Sequence, residues 1–446
     1  MKLITGEKKQ IKKKIKLFLS NYPISRKIVI NTINLLSKFC SPIIRLSIYR
    51  NFQIEHTRRR NSGRKILIVT KTLGPGGAER QLMNLANKLV AKYGFQVIVV
   101  CFNCQNYPDN FYLKDFRSDI EVIDLESLNL VNSPKIPGIF KFVWSSSTKS
   151  NYKKLLSIIH SEQPDVVHGW LDEPALIVSL AGLEANVPKI IISARNMNPS
   201  NFLANRVFYR GTYMALAHFS NIIFLNNSIA GSEDYERWLG FKKNTFRTIY
   251  NGYDIASFNK YKKHYNPSGN LKIMRIGTVC RLDVEKDIEL WLSVVQKLIS
   301  KSELNFTIIG DGPKLIKIKN FVKLNNLKER VEILLPIDDV YNKIVNFDIL
   351  LLTSKFEGLP NVLIEAQLLG VPVVTTNVGG CSETFRNHSS GVLVEKRDAS
   401  VICREILSLL EDEYRYTRFV KNSKIYSRQS FDIDKIVKSY ITQYRK

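Results

Sequence analysis

From about residue 64 onward, the chain alternates short apolar runs with amphipathic stretches. Residues 65–70, Lys-Ile-Leu-Ile-Val-Thr, form one such run, and a glycine-rich turn, a helical pattern through Leu89 and a second apolar run at 96–102 follow it. Uninterrupted apolar runs of this length are typical of parallel strands that are covered on both faces. The order strand, glycine turn, helix, strand predicts the start of a doubly wound α/β domain.

The same pattern starts again at residue 272, with a predicted strand at 272–277, a helix at 287–299 and a strand at 305–310. Other strand-like runs lie at 122–125, 166–167, 190–193, 222–225, 331–334, 349–353 and 371–375. This repetition predicts two Rossmann-like α/β domains in tandem, at residues 61–250 and 251–425. We expect residues 426–446 to form a C-terminal helix that packs back on the first domain.

The first 60 residues differ from the rest in charge. Residues 1–65 hold 17 Lys and Arg and two acids, so they carry +15 of the chain's formal net charge of +26. Apolar residues such as Ile11, Ile15 and those at 28–36 stand among these cations, which predicts a basic, amphipathic helical leader. No stretch reaches the roughly 18–20 apolar residues of a membrane span, and no signal-peptide cleavage site stands out. We therefore expect residues 1–60 to bind an anionic membrane surface, and the folded body to begin at Arg64.

Cysteine and histidine usage argues against a metal or disulfide framework. The six cysteines are scattered and lie mostly in apolar runs, which predicts buried thiols. Cys101 and Cys104 form a CxxC pair, but no second pair or nearby histidine completes a zinc site. Asp432 and Asp434 form a DxD that begins a predicted helix, where acidic residues pair with the helix N-terminus. We expect neither a metal ion nor another cofactor.

The turn from Gly74 to Arg80 follows the first predicted strand and begins a helix. Backbone N–H groups of such a turn can approach an anion closely, so Gly76 and Gly77 are candidate ligand-binding residues, although a purely structural turn is the alternative. The turn departs from the dinucleotide fingerprint, because Glu79 occupies the position of the third glycine. This departure counts against a dehydrogenase.

The second domain carries most of the candidate chemistry. Arg281 and Lys286 follow its first strand, and two cations there suit a pyrophosphate leaving group. Gly310 and Gly312 follow the next strand, at the edge where α/β sheets bind ligands. Glu357 and Glu365 are eight positions apart, across a Gly-Pro turn and a new helix; carboxylates there can accept hydrogen bonds from sugar and ribose hydroxyls. Because the helix around Glu365 is apolar, we expect a buried acid that needs a partner.

At these residues the sequence resembles the family-4 retaining glycosyltransferases. Residues 357–365 resemble the family's E-x7-E motif, and the similarity continues through 366–367, 370–374, 379–383 and 391–394. Residues 251–254, 277–286 and 74–80 correspond in the same order, so the resemblance spans about 64–440 and leaves out the first 60 residues. It implies the GT-B fold, in which two Rossmann-like domains face each other across a cleft.

The resemblance also implies roles for individual residues. Arg281 and Lys286 would hold the donor diphosphate, and Glu357 with the backbone of the following turn would bind the donor sugar and phosphate. Glu365 would take the ribose hydroxyls. The catalytic candidates are then Arg281, Lys286, Glu357 and His168, and the donor-binding candidates are Gly76, Gly77, Gly310, Gly312, Gly358, Leu359, Pro360, Asn361, Val362 and Glu365.

His168 is the candidate in the first domain. Residues 165–170 resemble the family strand that ends in a histidine facing the cleft, and a buried structural histidine is the alternative. Many relatives carry a second histidine a few positions on, where this chain has Asp172 and Glu173. Arg195 and Asn196 follow the next strand and are weaker candidates for the acceptor side.

We expect a metal-independent, retaining, hexosyltransferase-type enzyme that uses a UDP- or GDP-linked sugar. Its acceptor would be a glycan or lipid-linked glycan of a surface polysaccharide such as capsule or lipopolysaccharide, on the cytoplasmic face of the membrane. A nucleotide-sugar epimerase of the same architecture is one alternative. A basic nucleic-acid-binding protein is another, although the sequence contains no recognised RNA or DNA module.

Overall fold

The computed structural model describes residues 23–52, 64–129, 134–262, 274–300 and 304–445. Its described residues form two compact units, which we call the N-terminal domain (within 28–253, with 433–445) and the C-terminal domain (within 254–432, with 23–27). The sequence predicts domain boundaries at 250/251 and 425/426, whereas in the structure they lie at 253/254 and 432/433.

The N-terminal domain has a seven-stranded parallel sheet in the order β3-β2-β1-β4-β5-β6-β7. Its strands are β1 (Lys65–Thr70), β2 (Gln96–Cys101), β3 (Glu121–Asp124), β4 (Val166–Trp170), β5 (Lys189–Ser193), β6 (Ile222–Asn226) and β7 (Phe246–Thr248). Its helices are α1 (Pro23–Asn51, in this domain from residue 28), α2 (Gly77–Tyr93), α3 (Phe140–Val143), α4 (Ser146–Glu162), α5 (Asp172–Glu184), α6 (Tyr209–Leu216) and α7 (Ile229–Leu239).

The C-terminal domain has a six-stranded parallel sheet in the order β10-β9-β8-β11-β12-β13. Its strands are β8 (Met274–Val279), β9 (Leu304–Ile309), β10 (Val331–Leu334), β11 (Ile349–Leu352), β12 (Val373–Thr376) and β13 (Gly391–Val394). Its helices are α8 (Ile288–Leu298), α9 (Leu315–Leu324), α10 (Tyr341–Ile344), α11 (Asn361–Leu368), α12 (Ala399–Glu411) and α13 (Glu413–Ser430); the last helix, α14 (Ile433–Arg445), belongs to the N-terminal domain.

Both strand orders reverse direction at one point, between β1 and β4 and between β8 and β11. Such a reversal is where doubly wound sheets bind ligands, at the carboxyl ends of the strands. The two predicted Rossmann-like domains are therefore confirmed.

Strand β1 shows why its sequence is apolar throughout. Leu67 and Val69 pack into the hydrophobic cluster on one face of the sheet, and Ile66 and Ile68 pack into the cluster on the other. Side chains alternate across a strand, so a strand with helices on both faces needs an apolar residue at every position.

Helix α1 corrects the expectation that the folded body begins at Arg64. Ile44, Ile48 and Phe52 are buried in the same cluster as Leu67 and Val69 of β1. The helix also packs closely on α6, because a Cβ added at Gly211 would lie 2.9 Å from Ser41 Cα. The described part of the predicted leader is thus a structural helix of the N-terminal domain; residues 1–22 and 53–63 lie outside the described residues. None of the described helices is long and apolar enough to span a bilayer.

Helix α14 closes the other side of the N-terminal domain. Its apolar face, with Ile433, Val437 and Tyr444, is buried in the cluster that contains Ile66 and Ile68. Gly252 lies against its first turn, where an added Cβ would be 2.6 Å from Ile433 Cδ1.

If α1 is part of the core, Ile48→Ala should destabilise the protein by about 2–5 kcal/mol, since a buried methyl-rich side chain is lost and a cavity is left. Ile43→Ala, on the same helix but 57% exposed, should change the free energy of unfolding by less than about 0.5 kcal/mol. Urea unfolding of both variants measures this, and equal effects would show that α1 is not part of the core.

Candidate functional site

The carboxyl edge of the C-terminal sheet brings two sequence-predicted residues together. Lys286 follows β8 and Glu357 follows β11, so they stand on the two sides of the strand-order reversal. Lys286 Nζ lies 2.6 Å from Glu357 Oε1, and Ser354 Oγ donates to the same carboxylate oxygen over 2.6 Å. The Lys286 and Glu357 side chains are 21% and 8% exposed.

The Glu357 carboxylate keeps the Lys286 ammonium charged although the lysine side chain is mostly buried. Burial alone would lower the pKa of Lys286, but the carboxylate of Glu357 outweighs that effect and the pKa is raised. The lysine therefore stays protonated at neutral pH. A cation held in this way, at the ligand-binding edge of the sheet, is suited to an anionic ligand.

Arg281 lies in the same loop, five residues before Lys286. Its guanidinium bonds the buried carboxylate of Asp283, and its side chain is 63% exposed. Burial raises the pKa of Asp283, but the charge and hydrogen bond of Arg281, together with Glu285 and Lys286, outweigh burial and lower the pKa below its usual value. Asp283 thus stays ionised and holds the base of the arginine side chain, whose exposed nitrogens remain available to a ligand.

Gly310 and Gly312 hold this loop in place. Backbone hydrogen bonds join the two strand ends: Leu282 N donates to Asp311 O, and Lys314 N donates to Leu282 O, each over 2.9 Å. A Cβ at Gly312, whose φ is +154°, would lie 2.5 Å from Leu282 O. The two glycines therefore let the loops after β8 and β9 approach each other, which positions the segment that carries Arg281 and Lys286.

The predicted helix that carries Glu365 begins at this edge. Glu365 lies in α11 and is 3% exposed, and the turn from Gly358 to Pro360 leads into the first turn of this helix, at Asn361 and Val362. Gly380 N donates to Gly358 O over 2.9 Å, which fastens the turn to the loop after β12. The helix start and its preceding turn point backbone N–H groups toward the same edge as Lys286.

A second charged cluster, which the sequence did not predict, lies beside the Lys286–Glu357 pair. Asp287, the residue after Lys286, has a φ of +46° and bonds Lys355 Nζ over 3.2 Å and the Arg397 guanidinium. Arg397 also donates to the carbonyl of Ser354. These contacts connect the loops after β8, β11 and β13. The cations are far apart in the sequence from Asp287 and lie in no motif, so no signal in the sequence identified them.

Gly76 and Gly77 lie in the other domain, at the start of α2. Gly76 is the residue before the helix, and Trp170 Nε1 donates to Ala78 O over 2.8 Å. This turn follows β1, beside the strand-order reversal of the N-terminal sheet. The two glycines therefore lie at the ligand-binding edge of the N-terminal domain. The other predicted donor-binding residues belong to the C-terminal domain.

His168 does not face a cleft as predicted. It is fully buried in β4; Nδ1 shares a hydrogen bond with the Tyr444 hydroxyl at 2.9 Å, and Nε2 shares one with Ser193 Oγ at 2.7 Å. Burial, and then the charge of Arg195, lower its pKa to about 3. A neutral ring with both nitrogens occupied cannot accept a substrate proton, so the catalytic assignment is corrected: His168 joins β4, β5 and α14.

Arg195 supports the same buried network. It has a φ of +65°, stacks over Trp170 with its guanidinium carbon 4.1 Å from the ring centroid, and donates to the Tyr440 hydroxyl over 2.8 Å. It also bonds the Asn251 side chain. Arg195 thus connects the end of β5 to α14, which is a structural role for a residue predicted to line the acceptor side.

Asp172 is half-buried at the start of α5. The hydroxyls of Tyr213 and Tyr235 both donate to its Oδ1, over 2.7 and 2.6 Å. Burial raises its pKa to about 6 despite these two donors. The neighbouring Glu173 binds Lys71 Nζ over 2.8 Å, which joins the loops after β4 and β1. The two acids therefore fix this edge of the N-terminal sheet.

Cys101 and Cys104 differ from the expected free thiols, because their sulfurs form a disulfide. Together with Asp124 they make the one group of possible metal ligands found among the described residues. Asp124 Oδ1 accepts the backbone N–H of Cys104 over 3.2 Å. Metals bind thiolates, so sulfurs bonded to each other offer no strong ligand.

Comparison with known proteins assigns both domains. Residues 75–257 match the model of Glycosyltransferase Family 4, and residues 262–426 match that of Glycosyl transferases group 1. The two models together cover more than three quarters of the chain. The chain therefore contains a family-4 and a group-1 glycosyltransferase domain, and the predicted family is confirmed.

Curated relatives and solved structures agree with this assignment. The chain is 26% identical to the Vi polysaccharide biosynthesis protein VipC/TviE of Salmonella typhi, over 88% of this chain and 73% of the relative. It is 24% identical to the N-acetylgalactosamine-N,N'-diacetylbacillosaminyl-diphospho-undecaprenol 4-alpha-N-acetylgalactosaminyltransferase of Campylobacter jejuni, over 84% and 97%. Anabaena Alr3699/HepE, solved in complex with UDP and glucose, has a TM-score of 0.67 at 19% identity, over 86% of this chain and 99% of that one. The fold is GT-B, as predicted, and the chain is a glycosyltransferase of bacterial polysaccharide biosynthesis.

Because the pKa of His168 is about 3 in the folded state, the protein should lose stability as the pH falls below 6.5, where the unfolded chain takes up the proton first. The loss should approach about 1.4 kcal/mol per pH unit. His168→Phe lacks this titration but leaves two buried hydroxyls without their partner, at about 1–3 kcal/mol each. Urea unfolding at pH 7 and pH 5 should show the stability difference between the two proteins shrinking by about 2 kcal/mol. A difference that does not change with pH would contradict the buried neutral histidine.

Proposed function

We propose that the protein transfers a hexose-type sugar, with retention of anomeric configuration, from a UDP- or GDP-linked donor to a lipid-linked glycan. The Lys286–Glu357 pair at the strand-order reversal of the C-terminal sheet carries this proposal. Lys286 and the exposed nitrogens of Arg281 bind the donor diphosphate. Negative charge grows on that group as the glycosidic bond breaks, so two fixed cations stabilise the transition state more than the bound donor.

The carboxylates have separate tasks in this proposal. Glu357, with the backbone from Gly358 to Val362, binds the sugar and phosphate, and Glu365 accepts hydrogen bonds from the ribose hydroxyls. Because Ser354 and Lys286 hold one oxygen of Glu357, the other oxygen remains for a sugar hydroxyl. Gly76 and Gly77, in the N-terminal domain, approach the donor through their backbone N–H groups.

A lipid-linked acceptor is supported by the Campylobacter jejuni relative, whose name specifies a diphospho-undecaprenol substrate. Such an acceptor requires the enzyme to work at a membrane. We propose that it does so at the cytoplasmic face, bound to anionic lipid through the basic first 60 residues. The acceptor proton leaves with the help of the departing phosphate oxygen, since His168 is not available as a base.

Transfer should require an acceptor, retain the donor's anomeric configuration and survive excess EDTA, because cations of the chain replace a metal at the diphosphate. The test incubates the purified protein with UDP- and GDP-sugars, a polyprenyl diphosphate-linked glycan and EDTA, and reads the product anomer by proton NMR. An inverted product, or activity lost with EDTA and restored by Mn²⁺, would contradict the proposal. Conversion of the donor sugar without any acceptor would instead identify an epimerase.

Arg281→Ala and Lys286→Met should each lower kcat about 10²-fold, as expected for the loss of one group that stabilises transition-state charge. Arg117→Ala is the matched control, because Arg117 pairs with Asp119 two residues away just as Arg281 pairs with Asp283. It should leave kcat unchanged. Near-normal turnover of both site variants would contradict the diphosphate role.

Lys286→Met also leaves Glu357 buried without its cation, so stability must be separated from chemistry. The single variant should be destabilised by about 3–5 kcal/mol. The double variant Lys286→Met/Glu357→Gln removes both charges and should regain most of that stability, while its activity stays low. Recovery of activity with stability would show that the pair is only structural.

A further inference from the structure

Helix α1 is apolar on two opposite faces. Ser37, Ser41, Ile44 and Ile48 are buried against the N-terminal domain. On the outer side, Ile28, Leu35, Phe39 and Leu46 are 60, 57, 71 and 49% exposed. At about 100° per residue these four lie within about 20° of one line along the helix, opposite the buried residues. We call them the outer stripe.

The outer stripe forms part of a wider apolar surface. Leu36 and Ile43, on its edge, are 47 and 57% exposed. A helix that is apolar on both faces is normally covered on both, and large contiguous apolar patches on a soluble protein mark a binding surface. Helix α1 lies before residue 75, where the first matched family region begins.

Charge around the stripe indicates the partner. Helix α1 contains no acidic residue and five basic ones, of which Lys27, Lys38 and Arg50 are exposed. Seven lysines stand in the sequence before the helix, at residues 1–22, and Arg58, Arg59 and Arg60 follow it. An apolar stripe flanked by cations matches the interface of a membrane, where acyl chains lie under anionic headgroups.

Helix α1 is fastened to a loop at the carboxyl edge of the N-terminal sheet. Asn34 Nδ2 donates to Ser200 O and Asn205 Nδ2 donates to Asn34 Oδ1, each over 2.9 Å. Ser200 and Asn205 lie in the segment that follows β5, at the end of the strands where such domains bind ligands. A partner that binds α1 therefore also fixes the position of this loop beside the helix.

We propose that the outer stripe of α1 inserts into the headgroup and upper acyl region of an anionic membrane, with α1 parallel to its surface. Lys27, Lys38 and Arg50 bind lipid phosphates on either side. The loop at 198–205 is then held at the surface where the diphosphate end of a lipid-linked acceptor lies. This last step rests on the proposed transferase function, whereas the membrane contact does not.

The test compares the full-length protein with Leu35→Asp/Phe39→Asp in co-sedimentation with vesicles of phosphatidylcholine and phosphatidylglycerol. The double variant should bind at least about tenfold more weakly, because two inserted apolar side chains are replaced by anions. Phe142→Asp is the matched control, since Phe142 is 86% exposed in the same domain but lies outside α1. It should bind like the wild type. Equal binding of all three proteins would overturn the proposal.

A second measurement locates the stripe directly. Tryptophan at position 39, in Phe39→Trp, should be quenched by lipids with brominated acyl chains, and tryptophan at position 142, in Phe142→Trp, should not. If neither is quenched, the stripe does not enter the membrane. If Leu35→Asp/Phe39→Asp instead turns a dimer into a monomer in sedimentation velocity and vesicle binding is unchanged, a second copy covers the stripe and the proposal is wrong.

Sugar transfer is measured separately from vesicle binding in the same samples, which tests the proposed transferase function. Transfer to a water-soluble glycan acceptor should be unchanged in Leu35→Asp/Phe39→Asp, while transfer to the lipid-linked acceptor in vesicles should fall at least about tenfold with binding. A wild-type protein that binds vesicles but transfers nothing would refute the function and leave the membrane contact standing.

Discussion

A lysine and a glutamate hold each other in a mostly buried place at the carboxyl edge of the C-terminal sheet, and the neighbouring loops are arranged around this pair. Removing two charges from water is costly unless each satisfies the other, so the pair constrains where the loops after β8 and β11 can lie. Ser354 completes the bonding of Glu357, and Asp287 with Arg397 fastens the same loops a second time. The result is a protonated lysine that is fixed before any ligand arrives, which is the arrangement that electrostatic catalysis requires.

The two domains have the same type of sheet, but different side chains occupy the carboxyl edge of each sheet. In the C-terminal domain the reversal between β8 and β11 brings opposite charges together near the surface. In the N-terminal domain, buried hydrogen bonds join this edge to helix α14: His168 bonds Tyr444, and Arg195 bonds Tyr440. The charges at the first edge belong to the proposed diphosphate site, whereas the hydrogen bonds at the second edge join β4, β5 and α14.

Local patterns predicted what depends on local sequence. The apolar runs identified most strands, and the eight-residue spacing placed Glu357 before α11 and Glu365 within it. Long-range packing was not predictable in this way. The charge excess of residues 1–65 suggested a separate leader, whereas Ile44 and Ile48 of α1 are core residues of the N-terminal domain. His168 resembled a cleft residue because its partners, Ser193 and Tyr444, are 25 and 276 positions away.

The central claim is that Lys286 binds the diphosphate of the donor, and calorimetric titration of UDP and of uridine tests it most directly. Lys286→Met/Glu357→Gln, in which no buried charge is left unpaired, should bind UDP at least about tenfold more weakly than the wild type, the value of one charged hydrogen bond. Its affinity for uridine should be unchanged, because uridine has no phosphate. Equal losses for the two ligands, or no loss for UDP, would contradict the account.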